Sequence, residues 1–420
     1  MRFQLKKLLL GLALIAPSLV LADSLQFWPQ TGKDVGDYAA GAGAIEKDVA
    51  AAYYNPAAMT YTTHQEIGFS GISEFNSTKF NGQVTASPLS SFTNNSGTVQ
   101  GGQYLFMPSI MYVAPISNQW AFGLSISSPY KNYVRYGNSA FTRYDVIQNN
   151  FNTYDIAPSL AFKPMPKLSF GLGMDALYAE EYFSRMVTTT SPANDTFSKN
   201  RANNWGFGFH TGMFWQATST TNIGLSYRSS IKVNATGSSK LIGPVGNRDT
   251  RVKYSLTLPP MTILSGQQML NKKLALLGSI VYTQWGQLHN FQLNNVATST
   301  GTTSVSIASH LHNTWRFILG SRYQMSDKWG AMGALGYEQG STSKAHRNII
   351  LPDAGSVILS LGLQYQIATN FSAAAGYTHL FTHSAGINQT QASEGVTYDT
   401  IGNIYNNSDI IGLELDWKMT

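Results

Sequence analysis

Residues 411–419 read Ile-Gly-Leu-Glu-Leu-Asp-Trp-Lys-Met. Ile411, Leu413, Leu415, Trp417 and Met419 fall at every second position, with Gly412, Glu414, Asp416 and Lys418 between them. Side chains alternate faces along an extended chain, so one face of this segment is apolar and the other small or charged. The pattern recurs. Trp120, Phe122, Leu124 and Ile126 interleave with Ala121, Gly123, Ser125 and Ser127, and Leu168, Phe170, Leu172, Met174 and Ala176 with Ser169, Gly171, Gly173 and Asp175. Trp329 to Tyr337 and Val357 to Tyr365 carry two more such stripes.

A soluble sandwich also alternates, so three further features decide the class. The stripes are ~10 residues or longer, the length a tilted membrane crossing needs. Aromatic residues stand at their ends (Trp120, Trp215, Tyr227, Trp285, Trp329, Tyr365, Trp417), where interfacial girdles sit. The connections alternate between short ones at 117–119, 165–166, 218–220, 271–272, 326–328 and 368–370 and long polar ones. The long ones lie near 81–102, 137–150, 188–202, 236–249, 287–312, 340–354 and 383–406. Short turns on one side and long loops on the other are the pattern of an outer-membrane barrel. The expected fold is all-β: a transmembrane antiparallel barrel of about fourteen strands over residues 65–420. The strand centres are expected near 73, 109, 127, 157, 176, 209, 228, 258, 280, 319, 335, 361, 377 and 413.

Composition agrees. Of 420 residues, 28 are Lys or Arg and 22 Asp or Glu, and charged residues make up 12%, about half the usual ~25%. There is no Cys, which excludes disulfide scaffolds, thiolate metal sites and Cys nucleophiles. Arg2, Lys6 and Lys7 precede an apolar run from Leu8 to Ala16, and Val20-Leu21-Ala22 closes with a small residue. Residues 1–22 therefore read as a secretory signal peptide. Its removal takes away those three positive charges, so the balance falls from +6 to +3. No basic stripe remains, and no nucleic-acid partner is expected. The rest has no run of ~20 apolar residues to make a spanning helix. The expected location is the outer membrane of a Gram-negative cell, with membrane lipid and lipopolysaccharide as neighbours and a monomeric barrel.

Residues 23–64 do not alternate. Asp34 to Met59 is small and Ala/Gly-rich, and includes Tyr53, Tyr54 and Pro56. A barrel of this strand number has room inside for such a segment, and an N-terminal plug is the expected use of it; a flexible tail is the other reading.

Ala40-Gly41-Ala42-Gly43-Ala44-Ile45, Asp48 and Tyr54-Asn55-Pro56-Ala57-Ala58-Met59-Thr60 resemble the hatch segment of the FadL-type outer-membrane transporters of long-chain fatty acids and other hydrophobic compounds. Leu256 to Pro259, Trp315 to Gly320, Arg347 to Asp353 and Gly376 to His379 resemble later parts of that family in the same order. The resemblance implies passive uptake of a hydrophobic ligand, most of all a long-chain fatty acid. It implies a mobile hatch near Asn55, Pro56 and Ala57, and lateral release beside an inward kink of the third strand. That strand contains Ser127-Ser128-Pro129-Tyr130-Lys131. Proline cannot donate to a sheet ladder, so Pro129 points independently to a break, or else to the strand's end. A lateral route suits the cargo, because each CH₂ removed from water is worth ~0.8 kcal/mol. A carboxylate head would need a cation. Arg316, Arg347, Lys131 and Arg135 are the candidates, each of which could equally be a solvated or lipopolysaccharide-facing charge.

Other signals are set aside. Gly41-x-Gly43 follows no strand and precedes no Gly-Lys-Ser/Thr, so it is no phosphate loop. His310-x-His312 has no third ligand in view. No Gly-x-Ser-x-Gly suggests a lipase. No catalytic residue, metal or cofactor is expected. Uptake of aromatic hydrocarbons, a general porin and a surface adhesin are the competing functions.

Overall fold

The computed structural model describes residues 25–87, 95–187, 192–244, 246–288, 290–308, 310–393 and 396–419. The leader expected at 1–22 lies outside them. Fourteen antiparallel strands form a closed barrel. In order they are β1 (Gln65–Ser87), β2 (Tyr104–Pro115), β3 (Trp120–Ser127, resuming at Lys131–Arg135), β4 (Gln148–Met165), β5 (Leu168–Val187) and β6 (Thr196–Gln216). Then come β7 (Thr221–Arg228, resuming at Ile231–Gly243), β8 (Gly246–Leu258, resuming at Met261–Met269), β9 (Leu274–Thr283) and β10 (Thr314–Gln324). The last four are β11 (Trp329–Glu338), β12 (Ser356–Ala368), β13 (Phe371–Thr382) and β14 (Val396–Met419). Neighbours in sequence pair side by side. The ring closes where β1 pairs antiparallel with β14, from Gln65 against Met419 to Ser87 against Thr397.

The alternation read from the sequence is the inside–outside alternation of this wall. On β14, Leu413 and Trp417 are 61% and 45% exposed, whereas Glu414 and Asp416 are buried in the lumen. Phe170, Leu172 and Met174 on β5 and Leu359, Leu361 and Leu363 on β12 likewise face outward. Trp120 against Phe162 and Trp329 against Tyr365, both with ring centres 4.6 Å apart, mark the short-turn rim. Tyr282 against Trp315, also at 4.6 Å, lies toward the opposite rim. Trp285 departs from the expected girdle. It is fully buried in a short 3₁₀ turn (Trp285–Gln287), edge-on to Tyr130.

The turns at the short side fall where the sequence places them. The long side differs. Much of what reads as loop at 81–102, 188–202, 236–249 and 383–406 is strand: β1, β6, β7, β8 and β14 run on beyond the aromatic rim, joined by Ala385–Ser393 paired to β14. Asn, Ser, Thr and Gly disfavour a buried strand, but a ladder standing in water needs no apolar face, so composition marks the end of the membrane rather than of the strand. Two breaks also escape the alternation. β7 is interrupted at Ser229-Ser230 and β8 at Pro259-Pro260.

Residues 25–62 occupy the lumen and, apart from Glu46 and Lys47, are buried. Helix α1 (Gly32–Asp37) is capped by Thr31, whose hydroxyl accepts from Asp34 N at 3.2 Å. Helix α2 (Ala51–Tyr54) leads into a 3₁₀ turn (Pro56–Tyr61). Small residues let these pieces touch the wall directly. A Cβ on Gly36 would stand 2.9 Å from Gly362 Cα, and one on Gly32 would collide with the Leu413 backbone. Trp28, Tyr54 and Met59 fill the remaining space, each worth ~1.5–3 kcal/mol of apolar burial.

Candidate functional site

Polar contacts tie the lumen segment to the wall along its length, and three of them stand out. Lys33 anchors it to the seam strand. Its Nζ lies 3.1 Å from Asp48, 3.8 Å from Glu414 and 3.9 Å from Asp416, and its backbone N–H donates to Glu414 Oε2 at 2.6 Å. Arg322 of β10 reaches Asp37 at 2.6 Å and Asp48 at 3.0 Å. Burial pushes the Lys33 ammonium down, but Asp48, Asp416 and Glu414 outweigh it and hold it well above its usual value. Asp34 is raised by burial and by Asp48, Glu414 and Asp37. A second tie is Arg228 of β7, which bridges Asp155 at 2.9 Å and Asp175, and donates to Tyr53 O at 3.3 Å with its guanidinium over the Tyr53 ring.

The third tie is Asn55. Its amide donates to Gly43 O at 2.7 Å and to Met213 O on β6 at 3.0 Å, and its Oδ1 accepts from Ala57 N at 3.1 Å. Asn55 is extended and serves as the cap of the turn that Pro56 opens. Both roles fit the residue types, since Asn caps turns and Pro needs no N–H at a first position. Ala57 O accepts from Ser169 of β5 at 2.8 Å.

The wall itself is interrupted at β3. The β2–β3 ladder runs only from Ile110–Ile126 to Pro115–Ala121. Beyond it, Tyr104–Ser109 pair with β1 alone, until Gly102 and Val134 bridge again. Pro129 lies in this interval, as its missing N–H demands. The start of the lumen segment backs the opening from inside. Phe27 N donates to Pro129 O and Lys131 N to Leu25 O, both at 2.9 Å, so Gln26 pairs with Tyr130 like a short added strand. The Lys131 ammonium reaches across to Phe106 O at 2.9 Å. Tyr130 is fixed by both hydrogen bonds to Thr153 and by its hydroxyl, which donates to Pro259 O at 3.3 Å.

Two cavities adjoin this place. One, of about 60 Å³, is polar; Lys131, Asn132, Glu74, Glu338, Gln26 and Tyr38 are on its lining. The other, of about 20 Å³, is a small and largely apolar gap; Leu25, Phe151, Phe183, Leu293, Ile350 and Leu351 wall it. The two share no lining residue but flank the same short strand at 25–27.

Lys131 and Tyr130 thus meet at the break, and Pro129 makes it. Asn55, Pro56 and Ala57 sit elsewhere, against β5, β6 and β7. Arg316 lines neither cavity. It pairs with Glu338 at 2.9 Å, reaches Gln26 Oε1 at 3.4 Å and lies over the Trp28 ring. Arg347 is turned to its own loop, donating to Asp353 O, to Gly386 O at 2.8 Å and to Thr342 O at 3.1 Å. Arg135 is exposed on the far side of the break. Through Gln26 and Trp28, Arg316 touches the lumen segment, whereas Lys33, Arg322 and Arg228, which also hold it, are not singled out by the sequence. Glu414 and Asp416 could have been: charge on the inward face of a strand at membrane depth requires a partner.

The family model described as outer membrane protein transport protein (OMPP1/FadL/TodX) matches residues 13–418. The chain belongs to this family. It is an outer-membrane protein. It is 24% identical to outer membrane protein P1 of Haemophilus influenzae, over 98% of this chain and 99% of that one. It is 23% identical to a long-chain fatty acid transport protein of Escherichia coli, over 86% and 87% of the two chains. The crystal structure of a Pseudomonas aeruginosa FadL homologue superposes with a TM-score of 0.87 at 21% identity, covering 95% of this chain and all of that one. These members share the fold; what each binds is decided by its own lumen.

Proposed function

We propose that the protein passively carries hydrophobic molecules, long-chain fatty acids first among them, across the outer membrane as a monomer without catalysis. Residues 25–62 act as the plug, the apolar side chains around Leu25 receive the ligand once the plug shifts, and the interval between β2 and β3 releases it sideways into the lipid. One observation carries this reading: in a closed barrel whose lumen is filled, the β2–β3 ladder is interrupted, and that interruption adjoins an apolar pocket. A water-filled channel would serve a polar solute; a side opening lets a long chain leave without crossing water. Asn55, Pro56 and Ala57 hold the plug to the wall and are the place where it loosens. Lys131 stands at the exit.

The test is uptake of a labelled C16 fatty acid by cells that lack their own transporter and display the wild type, Pro129→Thr or Asn55→Ala at equal surface levels. Wild type should exceed empty cells, and Pro129→Thr should lose about tenfold. Undiminished uptake by both variants would overturn the mechanism. Displacement of the label by toluene would shift the cargo to aromatic hydrocarbons. A steady ionic current in planar bilayers would point to a porin.

A further inference from the structure

The ladders that stand above the aromatic rim gather cations on their outer face. On β6 the outward row runs Phe209, Phe207 and Trp205, all exposed, and continues through Asn203, Arg201 and Lys199, exposed as well. Trp205 lies beside Tyr178 of β5, ring centres 5.4 Å apart, and ends the apolar band. Arg201 follows ~13 Å further along the strand, at the level of lipid headgroups.

The upper hairpin of β7 and β8 adds to this row. Ser238 of β7 is the direct cross-strand partner of Arg201 on one side and of Arg251 on the other. Lys240 stands between Lys199 and Asp249, and Thr236 between Asn203 and Lys253. Cross-strand partners share a face of the sheet. Lys199, Arg201, Lys240, Arg251 and Lys253 therefore stand together, and all five are exposed. The sequence, in which they are spread from 199 to 253, shows no basic stripe; the register assembles one. Two carboxylates temper it: Glu180 takes Nε and Nη2 of Arg201, and Asp249 pairs with Lys240 at 3.0 Å. Lys199 lies over the Tyr182 ring at 5.6 Å. Among the described residues Arg251 and Lys253 have no side-chain partner.

Like charges set opposite each other, as Lys199 and Lys240 are, cost stability unless an anion lies between them. Ser238 is small, and the strands on its two sides are ~9.5 Å apart. Two guanidinium groups can close over it on one phosphate, each offering a fork of donors that matches the oxygens. A soluble polyanion would need the cations alone. Here the cationic row continues an apolar one on the same strand, which fits a molecule with acyl chains below its phosphate. We propose that the outer face of β6, β7 and β8 binds lipopolysaccharide of the outer leaflet: Arg201 and Arg251 clasp a headgroup phosphate, Lys199, Lys240 and Lys253 surround it, and Trp205, Phe207 and Phe209 lie along the acyl chains. Nothing in this site depends on what crosses the lumen.

The experiment measures binding of purified lipid A, and of the same lipid stripped of its phosphates, to the full-length barrel in zwitterionic micelles, with heat-modifiable migration as the check on folding. Wild type should bind the phosphorylated lipid about tenfold more tightly, and raising NaCl from about 0.05 M to about 0.5 M should narrow the gap. Arg201→Gln with Arg251→Gln should lose about tenfold for the phosphorylated lipid and nothing for the stripped one. Lys272→Gln with Lys273→Gln removes equal charge at the short-turn rim, where both are exposed, and should change neither. Equal binding of the two lipids by wild type would overturn the proposal, and that arm needs no variant. Equal loss from the two variant pairs would overturn it by showing an effect of net charge alone. Displacement of the lipid by millimolar inorganic phosphate would overturn it in favour of a free-anion site.

Discussion

Asn55→Ala isolates the tie between plug and wall. The change removes two donors and one acceptor, leaving Gly43 O, Met213 O and Ala57 N without their partners in a site that excludes water. Each lost buried hydrogen bond costs about 1 kcal/mol, and more where the abandoned group stays dry. Three together come to about 3 kcal/mol, on the order of a hundredfold in the population of the undocked plug. The barrel ladders do not involve Asn55, so the wall should keep its heat resistance. Amide hydrogen exchange read segment by segment is the assay. Residues 43–61 should exchange on the order of a hundredfold faster in the variant, while β5, β6 and β7 stay protected. Unchanged protection of 43–61 would refute the reasoning, since it would mean that the Asn55 contacts contribute nothing to holding the plug. Equal loss from plug and wall would refute it too, by showing that they do not open separately.

Gly224→Ala should loosen the same region by a different route. Its Cβ would fall 1.8 Å from Gly43 O, a backbone atom that can move only with the plug. Gly266→Ala, whose Cβ meets nothing within 4 Å, is the matched control and should leave exchange unchanged; equal effects of the two would sink the argument. Outside the barrel strands, burial pushes the Asp145 carboxyl up to about 6, against the opposing hydrogen bond from Thr400 and the charge of Arg185. The folded state then binds more protons than the unfolded one between roughly pH 4 and pH 6, so stability falls as pH rises through that window. Protection of residues 142–147, corrected for intrinsic rates, should be greater at pH 5 than at pH 7.5, and Asp145→Asn should abolish the difference. Protection that rises with pH in the wild type would contradict it.

The wall was legible because its signal is repeated. Period-2 stripes such as Leu168 to Ala176 describe a face in contact with lipid, and lipid tolerates nothing else. Strand ends on the long side were not legible, because Asn- and Ser-rich hairpins beyond the membrane follow no apolar rule. Pro129 disclosed the break in β3 through its missing N–H. The same logic applies to Pro259-Pro260 in β8, where a run of apolar neighbours masked it, and is silent at Ser229-Ser230. The segment that fills the lumen is marked in the sequence by what it lacks, alternation, together with Gly and Ala at the positions of closest approach. Its electrostatic partners are separated by hundreds of residues, as with Lys33 and Glu414, and spacing carries no trace of them. Arg316 and Arg347 were reasonable candidates by residue type. Their partners, Glu338 and three backbone carbonyls, belong to the folded chain alone.

The seam between β1 and β14 has an implication for biogenesis. The plug immediately precedes β1, and its Lys33 is held by Glu414 and Asp416 of β14. Both edges of the closing junction therefore meet the plug, one by chain continuity and one by charge. While the sheet is still an open, curling ribbon, the plug can lie against its concave side, and the last strand to arrive docks onto it. Nothing has to be threaded through a finished ring. The pairing of Gln65 with Met419 stands at the same rim, near the acidic side chains of β14 that take the Lys33 counter-charge.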